Sequence, residues 1–374
     1  MGLVLVRYGE IALKGRNRPM FLRRLRRNIR ASLAAYGLQG EVFTRGRRAF
    51  VHTLDPIAAL EPLSRVFGVV SASPVASVEP DLDAILTEAL LQATKEGLGP
   101  GRTFRIVARR ADKTFPILSP ELERQVGAAV VARHGATVDL SRKADVTIGI
   151  EVCEDTAMVY SRTIRGPGGL PVGIEGSVVA LLSGGTDSFV AAWMMIKRGC
   201  SVIPLHLAMF TDDSAAVLEQ VAQLQRYSYG WELRPAIVDY HHAIEPLLQQ
   251  LQGPREQRWT CLVCKHAMLS AAANIASEFD AHGIVMGDSM GQVASQTLRN
   301  LEAVSFGITM PIYRPLIGMD KNEIVALAQE IGAPSSTTEA HPPCPFVPDS
   351  PITRASLDSF AALWERLSAV EAIV

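Results

Sequence analysis

The stretch Ser177-Val178-Val179-Ala180-Leu181-Leu182-Ser183-Gly184-Gly185-Thr186-Asp187-Ser188 decides the fold of the larger part of the chain. Val178 to Leu182 is an apolar run of buried-strand length, and a helical segment follows near 187–198. Between them, adjacent glycines let backbone N–H groups converge on an anion. A helix starting there points its positive end at the same spot, and Ser183 and Ser188 add hydroxyl donors. Asp187 would repel a bare phosphate, so its presence implies Mg²⁺ or a polarised donor. The Gly-x-x-x-x-Gly-Lys spacing of a Walker loop is absent. An ordinary strand-to-helix turn is the plain alternative, and the strand before and the Asp-Ser after weigh against it.

Working outward, Val202–Leu207, Ala236–Val238 and Ile284–Met286 read as further buried strands. Helical segments lie near 213–229, 242–252 and 262–279. Such alternation specifies an α/β, doubly wound parallel sheet, which binds ligands at the carboxyl ends of its strands. The loop Ser183–Ser188 resembles the pyrophosphate-binding loop of the PP-loop ATPases. That resemblance implies cleavage of ATP between its α and β phosphates and adenylation of a carbonyl oxygen.

Upstream the composition changes sign. The 374 residues carry a formal net charge of −1, yet residues 1–60 hold 12 Lys+Arg and 3 Asp+Glu, a net of +9, while residues 176–374 stand at −8. Asymmetry of this kind points to a polyanionic partner. After a strand at Val4–Val6 comes the basic turn Lys14-Gly15-Arg16-Asn17-Arg18, then Pro19 where a first helical turn begins. Phe21, Leu22, Leu25 and Ile29 recur at helical spacing, with Arg23, Arg24, Arg26, Arg27 and Arg30 on the other faces. A solvated helix face is the usual meaning of such a charge run. Here the charges are one-signed with no i,i+4 acidic partners, which favours phosphate binding. Val42–Val51 reads as a hairpin whose Arg45, Arg47 and Arg48 would extend the patch. Residues 61–165 alternate short helices and strands, including Thr103–Ala108 followed by Arg109-Arg110, and form a small α/β domain. Arg165–Gly176 is turn-rich and reads as a boundary.

A hydrophobic content of 48% with 20% charged residues excludes wholesale disorder. No apolar run approaches the ~20 residues of a bilayer span, and the first residues lack a signal-peptide core. Five cysteines do not make a disulfide scaffold, so a reducing, cytoplasmic address is expected. Cys153 and Cys200 sit among apolar neighbours and read as core. Cys261 and Cys264 form a CxxC at a helix start, which by itself fits a redox pair, half a zinc site or packed thiols. With Cys344, between Pro343 and Pro345, the set suits an iron–sulfur cluster with one iron left open. His266 is a conceivable fourth ligand, though a lone helical histidine is more often structural.

Three blocks then match one family. Val6-Arg7-Tyr8-Gly9-Glu10-Ile11-Ala12-Leu13-Lys14-Gly15-Arg16-Asn17-Arg18 closely resembles the opening signature of tRNA 4-thiouridine synthetases. So do Gly287-Asp288-Ser289-Met290-Gly291-Gln292-Val293-Ala294-Ser295-Gln296-Thr297 and Arg314-Pro315-Leu316-Ile317-Gly318-Met319-Asp320-Lys321. The resemblance implies a ferredoxin-like domain at 1–60, a THUMP domain at 61–166 and a PP-loop domain at 167–374. It implies tRNA as partner, held by Lys14, Arg16, Arg18, Arg23, Arg24, Arg26, Arg27, Arg109 and Arg110. It implies ATP and Mg²⁺ at Ser183, Gly184, Gly185, Thr186, Asp187 and Ser188, with Leu181, Leu182, His206 and Leu207 around the adenosine and Lys265, Gly287 and Gln296 as further contacts. Asp187, Lys321 and Cys344 would be the catalytic residues. For Lys321 the bland alternative is an early residue of a helix at Asp320–Ile331.

Many members continue into a rhodanese domain, whereas this sequence ends at Val374. Its three cysteines resemble the rhodanese-lacking form, which implies a [4Fe-4S] or [3Fe-4S] cluster at Cys261, Cys264 and Cys344. Sulfide or a cysteine-desulfurase-type donor would then supply sulfur. A persulfide on Cys344, resolved by Cys261 or Cys264, is the rival, and a role in thiamine thiazole synthesis is in doubt. A homodimer is expected by resemblance alone. Another PP-loop enzyme, such as a tRNA 2-thiolase or an amidating ligase, would not account for the basic opening. A non-catalytic tRNA-binding protein would leave Asp187 and Lys321 idle.

Overall fold

Gly2–Tyr8, apolar at Val4, Leu5 and Val6, forms strand β1 in the first of two units of the computed structural model, Met1–Gly169 and Leu170–Val374. The structure describes residues 2–46, 48–209, 213–335 and 344–369.

In the first unit, helix α1 (Arg18–Ala35) carries Pro19 in its first turn and buries Phe21, Leu25, Ile29 and Leu33, one residue per turn. Each such side chain stabilises the unit by about 1.5–3 kcal/mol relative to exposure. Then follow β2 (Gly40–Arg45), β3 (Arg48–Thr53), α2 (Leu60–Leu63), β4 (Val69–Val78), α3 (Leu82–Lys95), β5 (Thr103–Arg110), α4 (Ser119–His134), β6 (Thr137–Val138), β7 (Val146–Val152), β8 (Ala157–Tyr160) and β9 (Ile164–Arg165). The strands join in one sheet, ordered β2-β3-β1-β4-β8-β7-β5-β6, with β9 also on β4. The seam is β4: its first part pairs antiparallel with β1, Tyr8 opposite Val69 through Leu3 opposite Val75. Its last three residues pair with β8, from Ala76 opposite Val159 to Val78 opposite Ala157.

A buried carboxylate ties the two halves of this sheet together. Glu151 on β7, 1% exposed, accepts from Arg7 Nε of β1 at 2.6 Å and from Arg48 of β3 at 2.8 Å. Arg7 also lies over the Tyr160 ring at 4.7 Å. Burial alone would raise the Glu151 pKa, but Arg7 and Arg48 hold it below the ordinary value.

The second unit runs β10 (Ser177–Leu181), α5 (Thr186–Lys197), β11 (Ser201–Ala208), α6 (Asp213–Gln225), β12 (Ala236–Asp239), α7 (Tyr240–Ala243), α8 (Glu245–Gln249), α9 (Gly253–Gln257), α10 (Thr260–Glu278), β13 (Ile284–Val285), α11 (Leu298–Val304), β14 (Ile312–Tyr313), α12 (Lys321–Glu330) and α13 (Leu357–Ser368). Its sheet, β12-β11-β10-β13-β14, is parallel throughout, the doubly wound arrangement expected. Helices α11 and α13 are additional to the segments expected from the sequence, and two further details depart from that expectation. The helical segment near 242–252 is two short helices, α7 and α8, because Pro246 lacks the N–H a continuous helix needs and instead opens α8. The two-residue β14 carried too little apolar pattern to be seen.

The core packs α10 and α13 beside this sheet. Phe360, Leu363, Trp364 and Leu367 line the inner face of α13, and Trp364 meets the His266 ring edge-on at 4.1 Å. His266, whose Nδ1 reaches Val304 O at 2.9 Å, is therefore a packing residue, its pKa lowered by burial. Asn300, fully buried, donates to Ala294 O and Ile352 O and accepts from the Ala355 N–H, which secures the segment before α13.

Candidate active site

Strand order in the second sheet reverses between β10 and β13, so the loops leaving these two neighbours flank the crevice where ligands bind. One loop is Leu182–Gly185 and the other begins at Gly287. Gly184 has φ +77°, a conformation that residues with a side chain rarely adopt. Gly287 is required for another reason: a Cβ there would lie 2.7 Å from Ser188 N and 2.8 Å from Asp187 C. The two loops touch backbone to backbone.

The loop is braced from within. Ser183 N donates to Ser188 Oγ at 3.2 Å, and Ser188 Oγ donates to Gly185 O at 3.0 Å. Gln220 of α6 donates from Nε2 to Gly185 O at 3.1 Å. His206 Nδ1 donates to Leu182 O at 2.9 Å, so in the neutral ring Nε2 is left as an acceptor. Asp187, in the first turn of α5, accepts from Lys321 Nζ at 2.5 Å and from Gln292 Nε2 at 3.0 Å. Lys321 opens α12 behind a capping box, with Asp320 Oδ1 on the Glu323 N–H at 3.0 Å and Glu323 Oε2 on the Asp320 N–H at 2.9 Å. Both descriptions of Lys321 hold: it begins a helix, and that helix delivers it to Asp187.

Directly after Gly287 stands Asp288, 2% exposed. It accepts from Lys265 Nζ at 2.8 Å, Arg314 Nε at 3.1 Å and Gln296 Nε2 at 3.2 Å. Burial pushes the Asp288 pKa up, and the two cations overcome it and hold the group ionised below its ordinary value. Among the described residues His206 Nε2, Gln220 Oε1 and Gln296 Oε1 are buried with no partner. An unmet buried polar atom costs about 1–3 kcal/mol, so this crevice is built for a polar ligand or water. Leu182, Ser183–Ser188, His206, Gly287 and Lys321 meet around one loop, and Lys265 and Gln296 join them through Asp288. Leu181 ends β10, and Leu207 is buried in β11.

Cys261 and Cys264 lie one turn apart on α10, on the same helical face. Cys264 Sγ meets the hydroxyl of the fully buried Tyr240 at 3.2 Å. The Tyr240 ring lies 5.9 Å from that of Phe346, two residues beyond the exposed Cys344. Burial first, then the charge of Cys344, raises the Cys261 thiol pKa. Burial pushes that of Cys264 up to about 12, against the hydrogen bond from Tyr240. Thiols are soft donors of the kind iron–sulfur chemistry uses. Among the described residues no three His, Cys, Asp or Glu side chains stand close enough to hold an ion. Pro343 lies outside the described residues. Cys200 is buried, and Cys153 packs on the Leu5, Phe50 and Met158 cluster.

In the first unit the basic residues divide. Arg16, Arg23, Arg27, Arg30 and Arg109 are exposed. Lys14 lies over the Phe21 ring at 4.8 Å, Arg18 donates to Gly46 O at 2.8 Å and Arg110 to Phe115 O at 2.6 Å. Arg26 and Arg30 both donate to Val42 O, at 3.0 and 3.1 Å. Arg24 has its pKa lowered by partial burial and by Arg27. The hairpin corrects the sequence reading: Arg48 is paired with Glu151 and Arg45 with Asp155, because β7 and the turn after it bring acids the one-dimensional count could not see. Arg47 lies outside the described residues.

Comparison with known proteins agrees with this layout. The ThiI ferredoxin-like domain model matches residues 3–73, the THUMP domain model 79–162, and the thiamine biosynthesis protein (ThiI) model 173–368. A probable tRNA sulfurtransferase of Thermococcus kodakarensis is 41% identical over 97% of this chain and 96% of its own length. The chain belongs to the tRNA sulfurtransferase family. A second such relative, from Methanocaldococcus jannaschii, is 39% identical over 98% of this chain and 97% of its own. Among solved structures, a 4-thiouridine synthetase in complex with RNA and bound ATP superposes with a TM-score of 0.82, at 31% identity, over 99% of this chain and 96% of that one.

For this tRNA sulfurtransferase, sequence reasoning missed Asp288, Gln292, Arg314 and Gln220. The first three lie inside the recognised blocks, which marked the neighbourhood without saying which side chain faces which. Gln220 carried no signal, since a glutamine on an amphipathic helix is unremarkable until the helix is docked.

Proposed function

We propose that this sulfurtransferase is an ATP-dependent 4-thiouridine synthetase acting on uridine 8 of tRNA. The observation that carries the reading is Asp187, set between Lys321 and Gln292 at the start of α5, beside a glycine loop at the switch point. In the first step the uridine O4 attacks the α-phosphorus of ATP, and the bond to the β-phosphate oxygen breaks. The Ser183–Ser188 N–H and hydroxyl groups, with the α5 dipole, hold the departing pyrophosphate. Asp187 would hold the Mg²⁺ that offsets phosphate charge, and Lys321, released from Asp187, would face the same charge. In the second step sulfide attacks C4, and AMP leaves with the electrons of the C4–O bond. A persulfide on Cys344 would instead give up its outer sulfur to C4 as Cys261 or Cys264 closes a disulfide with Cys344.

The exposed residues Arg16, Arg23, Arg27 and Arg109 would contact the tRNA backbone. Cys261, Cys264 and Cys344 would hold an iron–sulfur cluster, which supplies the sulfur when bound. Sulfide or a cysteine desulfurase is the donor class, a homodimer in the cytoplasm the working form. Among the described residues no helix is long and apolar enough to cross a membrane. A second reading, a persulfide carried on Cys344, draws on the exposure of that residue beside the more buried Cys261 and Cys264.

Nucleoside analysis of tRNA from a deletion strain tests the function. Loss of 4-thiouridine is expected, and loss of 2-thiocytidine instead would overturn the assignment. Anaerobic thiolation with ATP and sulfide, with and without an iron chelator, separates the sulfur routes: undiminished activity after chelation sinks the cluster.

A further inference from the structure

Asp288 is a buried anion with two cations, and those cations are held differently. Arg314 is fastened at both ends, with Nε on Asp288 Oδ2 at 3.1 Å and a terminal nitrogen on Ser305 Oγ at 3.0 Å. Among the described residues Lys265 makes one side-chain hydrogen bond, Nζ on Asp288 Oδ1 at 2.8 Å, on a flexible four-carbon stem with a 20% exposed side chain. Removing the last partner of a buried charge is strongly unfavourable. Asp288 can nevertheless release Lys265, because Arg314 and the Gln296 amide remain. Against one carboxylate the cluster carries a surplus positive charge, next to Gly287 and the Asp187–Ser188 backbone that Gly287 touches.

We infer that Asp288 and Arg314 are positioning residues for ATP: Asp288 stores Lys265 beside the crevice, and Arg314 keeps Asp288 paired when the triphosphate draws Lys265 away. This rests on the reading of the crevice as an ATP site and adds how its lysine is prepared. Without Arg314, Asp288 would retain Lys265 and compete with the phosphate for it. Without Asp288, Lys265 would lose the acceptor that places it. The two residues thus act through one amine.

A double-mutant cycle on the full chain tests this. Its readouts are the Kd for ATP and, in steady-state assays of tRNA thiolation, kcat and the KM for ATP. Asp288→Asn and Arg314→Met are each expected to raise KM for ATP about tenfold while changing kcat less than about threefold. In a Lys265→Met background Asp288→Asn, which leaves no unpaired buried charge, should add less than about twofold. Arg314→Lys should recover most of the loss. Additive losses in the Lys265→Met background, or a fall in kcat with KM unchanged, would overturn the inference, since a purely structural role predicts them. If Asp288→Asn does not fold, by thermal melting, the single variants Arg314→Met and Arg314→Lys, which keep Lys265 on Asp288, answer by their KM and kcat alone. A wild-type chain that neither binds ATP nor forms 4-thiouridine would overturn the functional reading itself. A wild type that does both, with an additive cycle, would overturn only this inference.

Discussion

Four arginines of the first unit and three cations around the glycine loop of the second are held by different acceptors. Arg18, Arg26, Arg30 and Arg110 lean on backbone carbonyls, which orient a guanidinium without neutralising it. Lys321, Lys265 and Arg314 lean on carboxylates, which cancel their charge until another anion displaces the partner. The first arrangement is a standing positive surface, suited to a polyanion recognised by its charge. The second is an exchange site that responds when a compact anion arrives.

Breaking the exchange site should have the largest effect. Asp187→Asn and Lys321→Met are each expected to lower the rate of 4-thiouridine formation about 10²–10³-fold, measured in single turnover at saturating ATP and tRNA. Retention of more than a tenth of the rate would remove the pair from the chemistry.

Next comes Glu151, the buried carboxylate that neutralises Arg7 and Arg48 in the first unit. Glu151→Gln leaves two cations around an uncharged group and should cost about 3–5 kcal/mol, read by denaturant unfolding of the first unit within the full chain. The folded pKa of Glu151 is depressed, so its stabilisation is complete above the unfolded value of about 4.3 and is lost as pH falls through the folded value. Wild type and Glu151→Gln should therefore converge in stability toward acid. Parallel curves down to low pH would show that charge is not what Glu151 contributes.

The standing surface comes third. Arg23→Glu with Arg27→Glu should flatten the dependence of log affinity for tRNA on log salt by about 1.4–1.8, without loss of folding because both side chains are exposed. Equal slopes would place the tRNA contacts elsewhere. Smallest of all, Cys200→Ala should leave 4-thiouridine yield unchanged and shift stability by about 1 kcal/mol, since that thiol is buried.

Some of this was legible in one dimension. The apolar run ending at Leu182, the glycine pair and the helical stretch after it suffice for a strand-loop-helix anion site, because each follows from local backbone and dipole physics. The apolar spacing of Phe21, Leu25 and Ile29 likewise suffices for α1. Less legible was which charges are available. Arg45 and Arg48 looked like part of an open patch, and residues more than a hundred positions away take them.

The sequence by itself determined the parallel sheet, the loop at its centre and the basic opening, since periodicity and residue type act over a few neighbours. Only the tertiary structure decided the partners: Lys321 with Asp187, Lys265 and Arg314 with Asp288, Arg7 and Arg48 with Glu151. Side-chain pairing depends on distances of a few ångströms between segments far apart in the chain. Those distances exist only once β10 and β13, or β3 and β7, have taken their places in the sheets.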